Sequence, residues 1–281
     1  MLIRNLESKL IKKFKKIITP WNLLILIILL LAFILRIYKI GEILDFHFDQ
    51  GRDALVIWNL WHSGKLFLIG PVTGLEGIFL GPLYYYLIAP FYLIGGGNPV
   101  IPSMFLSFLT VVSLYFLYLT GVEINGTVTG FIALIVGSFS NHLIFSNRWL
   151  SNPTPIYLTS ILIFYLFVKI IKKVKIPEFS WYLVYLLVGI SLQFELASAV
   201  FYLPILAIFT LWQKEKINVK TFLISSFIFL LTLLPQIVFN FKHDNILLNN
   251  VVSNLDNNNF VQINYLDRLF TIFGIVRNIF I

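Results

Sequence analysis

Residues Phe79–Gly97 read FLGPLYYYLIAPFYLIGGG, and whether this stretch crosses a membrane decides how the whole chain is laid out. It is apolar and aromatic, yet Pro82, Pro90 and the glycine run leave only short helical pieces, which suits an interfacial helix better than a span. Longer apolar runs flank it: Ile17–Tyr38 before, and roughly 100–120, 127–146, 153–171, 178–194, 196–212 and 221–240 after. If Phe79–Gly97 does not cross, Lys169, Lys172, Lys173 and Lys175 share a face with Lys214, Lys216 and Lys220. The six basic residues between Arg4 and Lys16 join them, which gathers thirteen of the 21 Lys+Arg in the cytoplasm. Counting the stretch as a span would move seven lysines outside, against the positive-inside tendency. The sequence therefore predicts an all-α, polytopic integral membrane bundle of about seven spans, with interfacial helices in the first outer loop.

Composition supports a bilayer as the solvent. Hydrophobic residues make up 58% of the 281 and charged residues only 12%, about half the charge of a soluble domain. The net charge of +8 comes from lysines beside apolar runs, where they meet anionic membrane lipids, so no nucleic acid is expected as a partner. With no cysteine there is no disulfide, thiol nucleophile or thiolate metal site. The first apolar run lacks a small-residue cleavage site and is expected to stay as an anchor, with Arg36 and Lys39 snorkelling at its far end. The resulting layout is a basic cytoplasmic N-terminus (1–16), a transmembrane module (17–240) with its first outer loop at 41–97, and an outer loop with a partial C-terminal segment (241–281). The chain ends on an apolar residue, as a shortened version of something longer would. The expected location is the plasma membrane, multi-pass.

Nine of the thirteen acids fall on the outer face, so chemistry is expected there. The densest cluster is Asp45-Phe-His-Phe-Asp49-Gln-Gly-Arg52-Asp53, directly after the first span. A carboxylate just above the bilayer can act as a general base, and an arginine three residues later can fork onto a phosphate. The sequence predicts a helix from Asp53 to His62. A solvated charged loop is the plainer reading, but four charges and a histidine within nine residues weigh against it. Tyr84, Tyr85 and Tyr86 suit either a membrane-interface belt or a groove wall for a lipid chain or a sugar. In Ser146-Asn147-Arg148-Trp149-Leu-Ser-Asn152-Pro153, Asn152 suits an N-cap and Pro153 a first helical turn. Arg148 and Trp149 would suit a phosphate and a sugar ring. Glu195, alone between Glu178 and Lys214, is either functional or sits in the headgroups. Lys242-His243-Asp244 follows the last span at the same face, and His142 sits near the outer end of the third.

The order of these parts, with FDQGRDA and IFLGPLYYY as its moderately specific motifs, resembles the GT-C glycosyltransferases. More narrowly it resembles the dolichyl-phosphate-mannose protein mannosyltransferase and aminoarabinose-transferase branch. The resemblance implies transfer of a sugar from a polyprenyl-phosphate donor to a lipid, glycan or protein acceptor at the extracytoplasmic face. Asp49 matches the first-loop acid, the expected catalytic base, and Arg52 the basic residue that contacts donor phosphate. Asp53, Tyr84, Tyr85, Arg148, Trp149, Asn152, Glu195 and His243 are the further candidates for binding substrate. Asn152 stands where many relatives carry a second acid, and Glu76-Gly-Ile-Phe stands where the aminoarabinose branch has a lysine. No cofactor is required by the pattern and a divalent metal is left open. A transporter would need mid-bilayer polar groups or a repeated half, and a non-catalytic membrane subunit would not need the Asp49–Arg52 cluster.

Overall fold

A computed structural model describes residues 19–256 other than 45, 76 and 175, together with 270–274. The basic N-terminus, Asp45, Glu76, Lys175 and the asparagine run 257–259 lie outside the described residues. Among the described residues, thirteen α-helices follow one another from Pro20 to Asp256, and the only strand-like pairing is one antiparallel bridge, Val72 with Phe79. They are α1 (Pro20–Ile37), α2 (Ile40–Ile43), α3 (Phe48–Ser63), α4 (Leu83–Ile94), α5 (Val100–Asn125), α6 (Thr127–Phe139), α7 (Asn141–Ser146), α8 (Ile156–Lys172), α9 (Glu178–Phe194), α10 (Leu196–Ala199), α11 (Tyr202–Trp212), α12 (Val219–Lys242) and α13 (Ile246–Asp256).

Helices α1, α5 and α12 are long and apolar enough to cross a membrane; α4, α6, α9 and the α10–α11 segment are shorter apolar helices. Only 6% of the apolar window of α12 is buried within the protein. A surface that apolar, turned outward along a whole helix, needs lipid against it. By contrast α4, at twelve residues, is about 18 Å long and does not reach across a ~30 Å core. It is no loose surface helix either: Tyr84, Tyr85, Ile88, Ala89 and Tyr92 are buried against α3, α5 and α9.

Two expected spans are interrupted, each for a definable reason. The run 127–146 breaks at Ser140, between α6 and α7. In an unbroken helix the Gly137 and Ser138 carbonyls would accept from residues 141 and 142. Here both are taken by the guanidinium of Arg36 on α1, at 3.2 Å each. Arg36 therefore does not snorkel as expected; it is fully buried and reaches sideways into the bundle. The run 196–212 breaks after α10, where Pro204 has no N–H to give to Val200, and α11 starts afresh at Tyr202. Helix α8 likewise begins at Ile156, three residues later than expected: Pro155 has no N–H to give to Ser151, and the chain enters the helix through i→i+3 turn bonds.

Three apolar clusters hold the bundle. One joins α1, α5 and α6, one joins α8, α9 and α11, and one packs α3 and α4 onto α5, the turn at Leu150 and Phe194. Helices α9 and α12 approach at Gly189, where any side chain would strike Thr232. Hydrogen bonds from Lys172 to Ile124 O, from Lys216 to Ile170 O and Ile171 O, and from Trp181 to Lys216 O tie one end of the bundle together. The lysines that ended the expected inner loops thus share one end. The helices α3 and α4 sit at the other.

Candidate functional site

Helix α3 begins earlier than the sequence suggested, at Phe48 rather than Asp53, because Gln50 reaches back to accept the N–H of His47 at 3.0 Å. The same Gln50 donates to the Leu150 carbonyl at 3.2 Å, which fixes the first turn of α3 against the 147–152 turn. Asp49 and Asp53 are then one helical turn apart, with Arg52 on the same flank. Arg52 Nη1 donates to Asp49 Oδ1 at 2.8 Å, while Nε and Nη2 donate to Asp53 Oδ1 at 3.0 and 2.8 Å. Three of its five N–H groups are used and two remain.

The two carboxylates differ in setting. The Asp49 side chain is 66% exposed and that of Asp53 6%. Asp53 also accepts from the Tyr85 hydroxyl at 3.0 Å. Burial pushes the Asp53 carboxyl above the usual carboxylate range, against the opposing pull of its bonds from Arg52 and Tyr85. Burial, and then the Asp53 charge, hold the Tyr84, Tyr85 and Tyr92 phenols protonated far above their usual range. The Tyr84 and Tyr92 hydroxyls have no hydrogen-bond partner among the described residues.

Two cavities flank α3. Arg52, Val56, Asn59 and Ser63, at i, i+4, i+7 and i+11, face one of about 680 Å³, closed by Lys65, Phe67, Phe79 and Tyr85. Leu55, Trp58, Trp61 and Gly51 face the other, about 610 Å³, whose far wall is Tyr92, Leu93, Gly96 and Gly97. The first offers a guanidinium, an ammonium, an amide and a hydroxyl among aromatic rings. The second is apolar. Helix α3 is the partition between a polar chamber and a greasy one.

The remaining sequence candidates scatter. Tyr84 is fully buried and lines neither of these two cavities; Tyr86 brackets the backbone of Phe67. Arg148 donates to the Leu35 carbonyl of α1 and lies over Phe145; with Trp149 it lines a separate cleft. Asn152 is not an N-cap: its amide donates to the Phe194 carbonyl at 2.7 Å. Glu195 caps α10, accepting from the N–H groups of Ala197 and Ser198 at 2.7 and 2.8 Å. His243 is exposed, stacks on Phe239 and bonds its carbonyl. Among the described residues no three metal-ligating side chains converge. Asn59, Ser63 and Lys65 were missed by sequence reading; the first two continue the stripe that Arg52 and Val56 begin on α3, and Lys65 follows just after the helix.

The sequence pattern of the dolichyl-phosphate-mannose-protein mannosyltransferase family matches residues 80–239. No curated protein matches the chain, and no solved structure does.

Proposed function

The chain belongs to the dolichyl-phosphate-mannose-protein mannosyltransferase family, a membrane glycosyltransferase of the GT-C type, and from that premise we propose that it moves a sugar from a polyprenyl-phosphate donor to a hydroxyl of a lipid, glycan or protein. The observation that carries this reading is Arg52, held between Asp49 and Asp53 on the helix that separates a polar chamber from an apolar one. The isoprenoid chain lies along Leu55, Trp58 and Trp61. Its phosphate meets the two unused N–H groups of Arg52, with Lys65 nearby on the chamber wall.

The exposed Asp49 takes the proton from the acceptor hydroxyl as its oxygen attacks the anomeric carbon. The bond from that carbon to the phosphate oxygen breaks, and the electron pair leaves with the lipid phosphate, whose charge Arg52 stabilises. Displacement from the face opposite the leaving group inverts the anomeric centre. Asp53 and Tyr85 hold the guanidinium in its plane so that it need not reorient during the step.

In this reading the chain crosses the plasma membrane seven times, the interrupted α6–α7 and α10–α11 segments each counting as one crossing. The lysine-bearing end is cytoplasmic, as is the N-terminus, and α3 is extracytoplasmic. Single cysteines replacing Lys65 and Glu215, in a chain that has none of its own, are expected to react with impermeant reagent from outside and inside respectively.

The decisive assay uses purified protein and radiolabelled polyprenyl-phosphate sugars. Asp49→Asn is expected to slow release of lipid phosphate about 10²–10⁴-fold. Equal release by wild type and variant would sink the mechanism.

A further inference from the structure

Across the 147–152 turn from the Asp49–Arg52 cluster lies a second group of cations. Arg36 is fully buried, and among the described residues its hydrogen bonds go only to the carbonyls of Ala32, Gly137 and Ser138. Arg148 donates to the Leu35 carbonyl, and its guanidinium carbon stands 5.5 Å from the Phe145 ring centroid. No carboxylate pairs with either arginine among the described residues, and Glu42, on neighbouring α2, is engaged by Lys39 at 3.1 Å. The carbonyl that Arg148 takes belongs to the residue directly before Arg36, so the two cations are neighbours. Arginine does not shed its charge in proteins, so two neighbouring like charges have neutral carbonyls as their partners. That arrangement is costly unless an anion joins it. The Nε groups of both arginines, and both side-chain heteroatoms of the buried Asn147 between Ser146 and Arg148, have no hydrogen-bond partner among the described residues.

Arg148 opens onto a cleft of about 520 Å³ shared with Ile43, His142, Phe145, Ser146 and Trp149. One part of the wall is cation, imidazole and hydroxyl; the other is aromatic and aliphatic. A free anion would meet the first and leave the second uncovered, whereas a phosphate carried on an apolar chain meets both. We infer that this cleft binds the phosphate of a membrane lipid, with Arg148 as its contact and Arg36 supplying field from behind. It is a site separate from the chamber at Arg52 and does not rest on the role given to Asp49.

The test is fluorescence titration of the purified full chain in detergent, reading the signal of Trp149 as the difference between wild type and Trp149→Phe. Geranyl phosphate is expected to saturate that signal, while geraniol and inorganic phosphate at the same concentrations leave it unmoved. Arg148→Gln should weaken geranyl phosphate at least tenfold, Arg148→Lys less, and Arg52→Gln less than twofold. Thermal melting of each variant separates lost binding from lost fold. Wild-type affinity in a folded Arg148→Gln or Arg148→Lys pair overturns the proposal. So does binding of inorganic phosphate as tight as that of geranyl phosphate, which marks a free-anion site, or loss of the Trp149 signal in Arg52→Gln, which leaves one site rather than two.

Discussion

Arg52 and Arg36 stand at the same end of the bundle, one on α3 and one on α1, and the protein treats them in opposite ways. Arg52 is answered by carboxylates on both sides, so its charge is neutralised locally and its plane is fixed. Arg36 is answered by three carbonyls, so its hydrogen bonds are largely met while its charge is not. The first arrangement suits a group that must stay oriented while a charge develops in front of it. The second builds architecture, because the carbonyls it takes are those whose loss ends α6. Hydrogen-bond satisfaction and charge compensation are separate requirements, and this molecule meets them at different arginines.

That contrast can be broken by substitution. The largest effect is expected for Arg52→Gln, which removes the donors facing the leaving phosphate and should lower turnover roughly 10²–10³-fold, measured as release of lipid phosphate. If turnover holds, Arg52 is a structural bridge like its counterpart. Next comes Arg36→Leu, which leaves the Gly137 and Ser138 carbonyls without their donor and should cost about 1–3 kcal/mol of stability, read from unfolding in detergent. An unchanged melting point would show that α6 ends at Phe139 without help. Asp53→Asn should sharpen the comparison, since it keeps the shape around Arg52 but removes the charge that holds its plane. A misplaced guanidinium predicts roughly tenfold to a hundredfold lower turnover, with donor binding less affected.

The smallest effect concerns pH. Burial raises the Asp53 carboxyl in the folded protein, so folding favours its protonated form. The stability it lends is complete below the unfolded value of about 3.9 and is lost as pH rises through the higher folded value. Wild-type melting temperature should therefore fall across that window and Asp53→Asn should flatten the fall. Parallel curves would mean that another group titrates there.

The helical architecture was legible because apolar runs and lysine placement are local signals. The failure of Phe79–Gly97 to form a span-length helix was legible from Pro82 and the glycine run that bound α4, whereas Pro90, expected to break it, lies inside the helix. The interruptions were not. The break at Ser140 depends on a side chain more than a hundred residues earlier, and nothing near Ser140 announces it. The start of α3 was hidden because its cap is Gln50 folding back on His47, outside the usual serine, threonine or aspartate signature. At the site, Asp49 and Arg52 do meet, since i and i+3 on a helix are neighbours whatever the tertiary fold. Arg148, Asn152 and Glu195 stand apart from that pair for the opposite reason: each is bound by partners far away or by local backbone, and spacing along the chain says nothing of which.

One wall of the polar chamber is held by late parts of the chain. Gln193 on α9 accepts the Leu83 N–H, Gln236 on α12 donates to the Phe79 carbonyl, and Asn250 on α13 donates to that of Gly77. During synthesis Arg52 and Asp49 leave the ribosome well before those amides exist. The compartment is thus finished by helices made later, and a nascent chain carries the reactive groups before it has a room in which to use them.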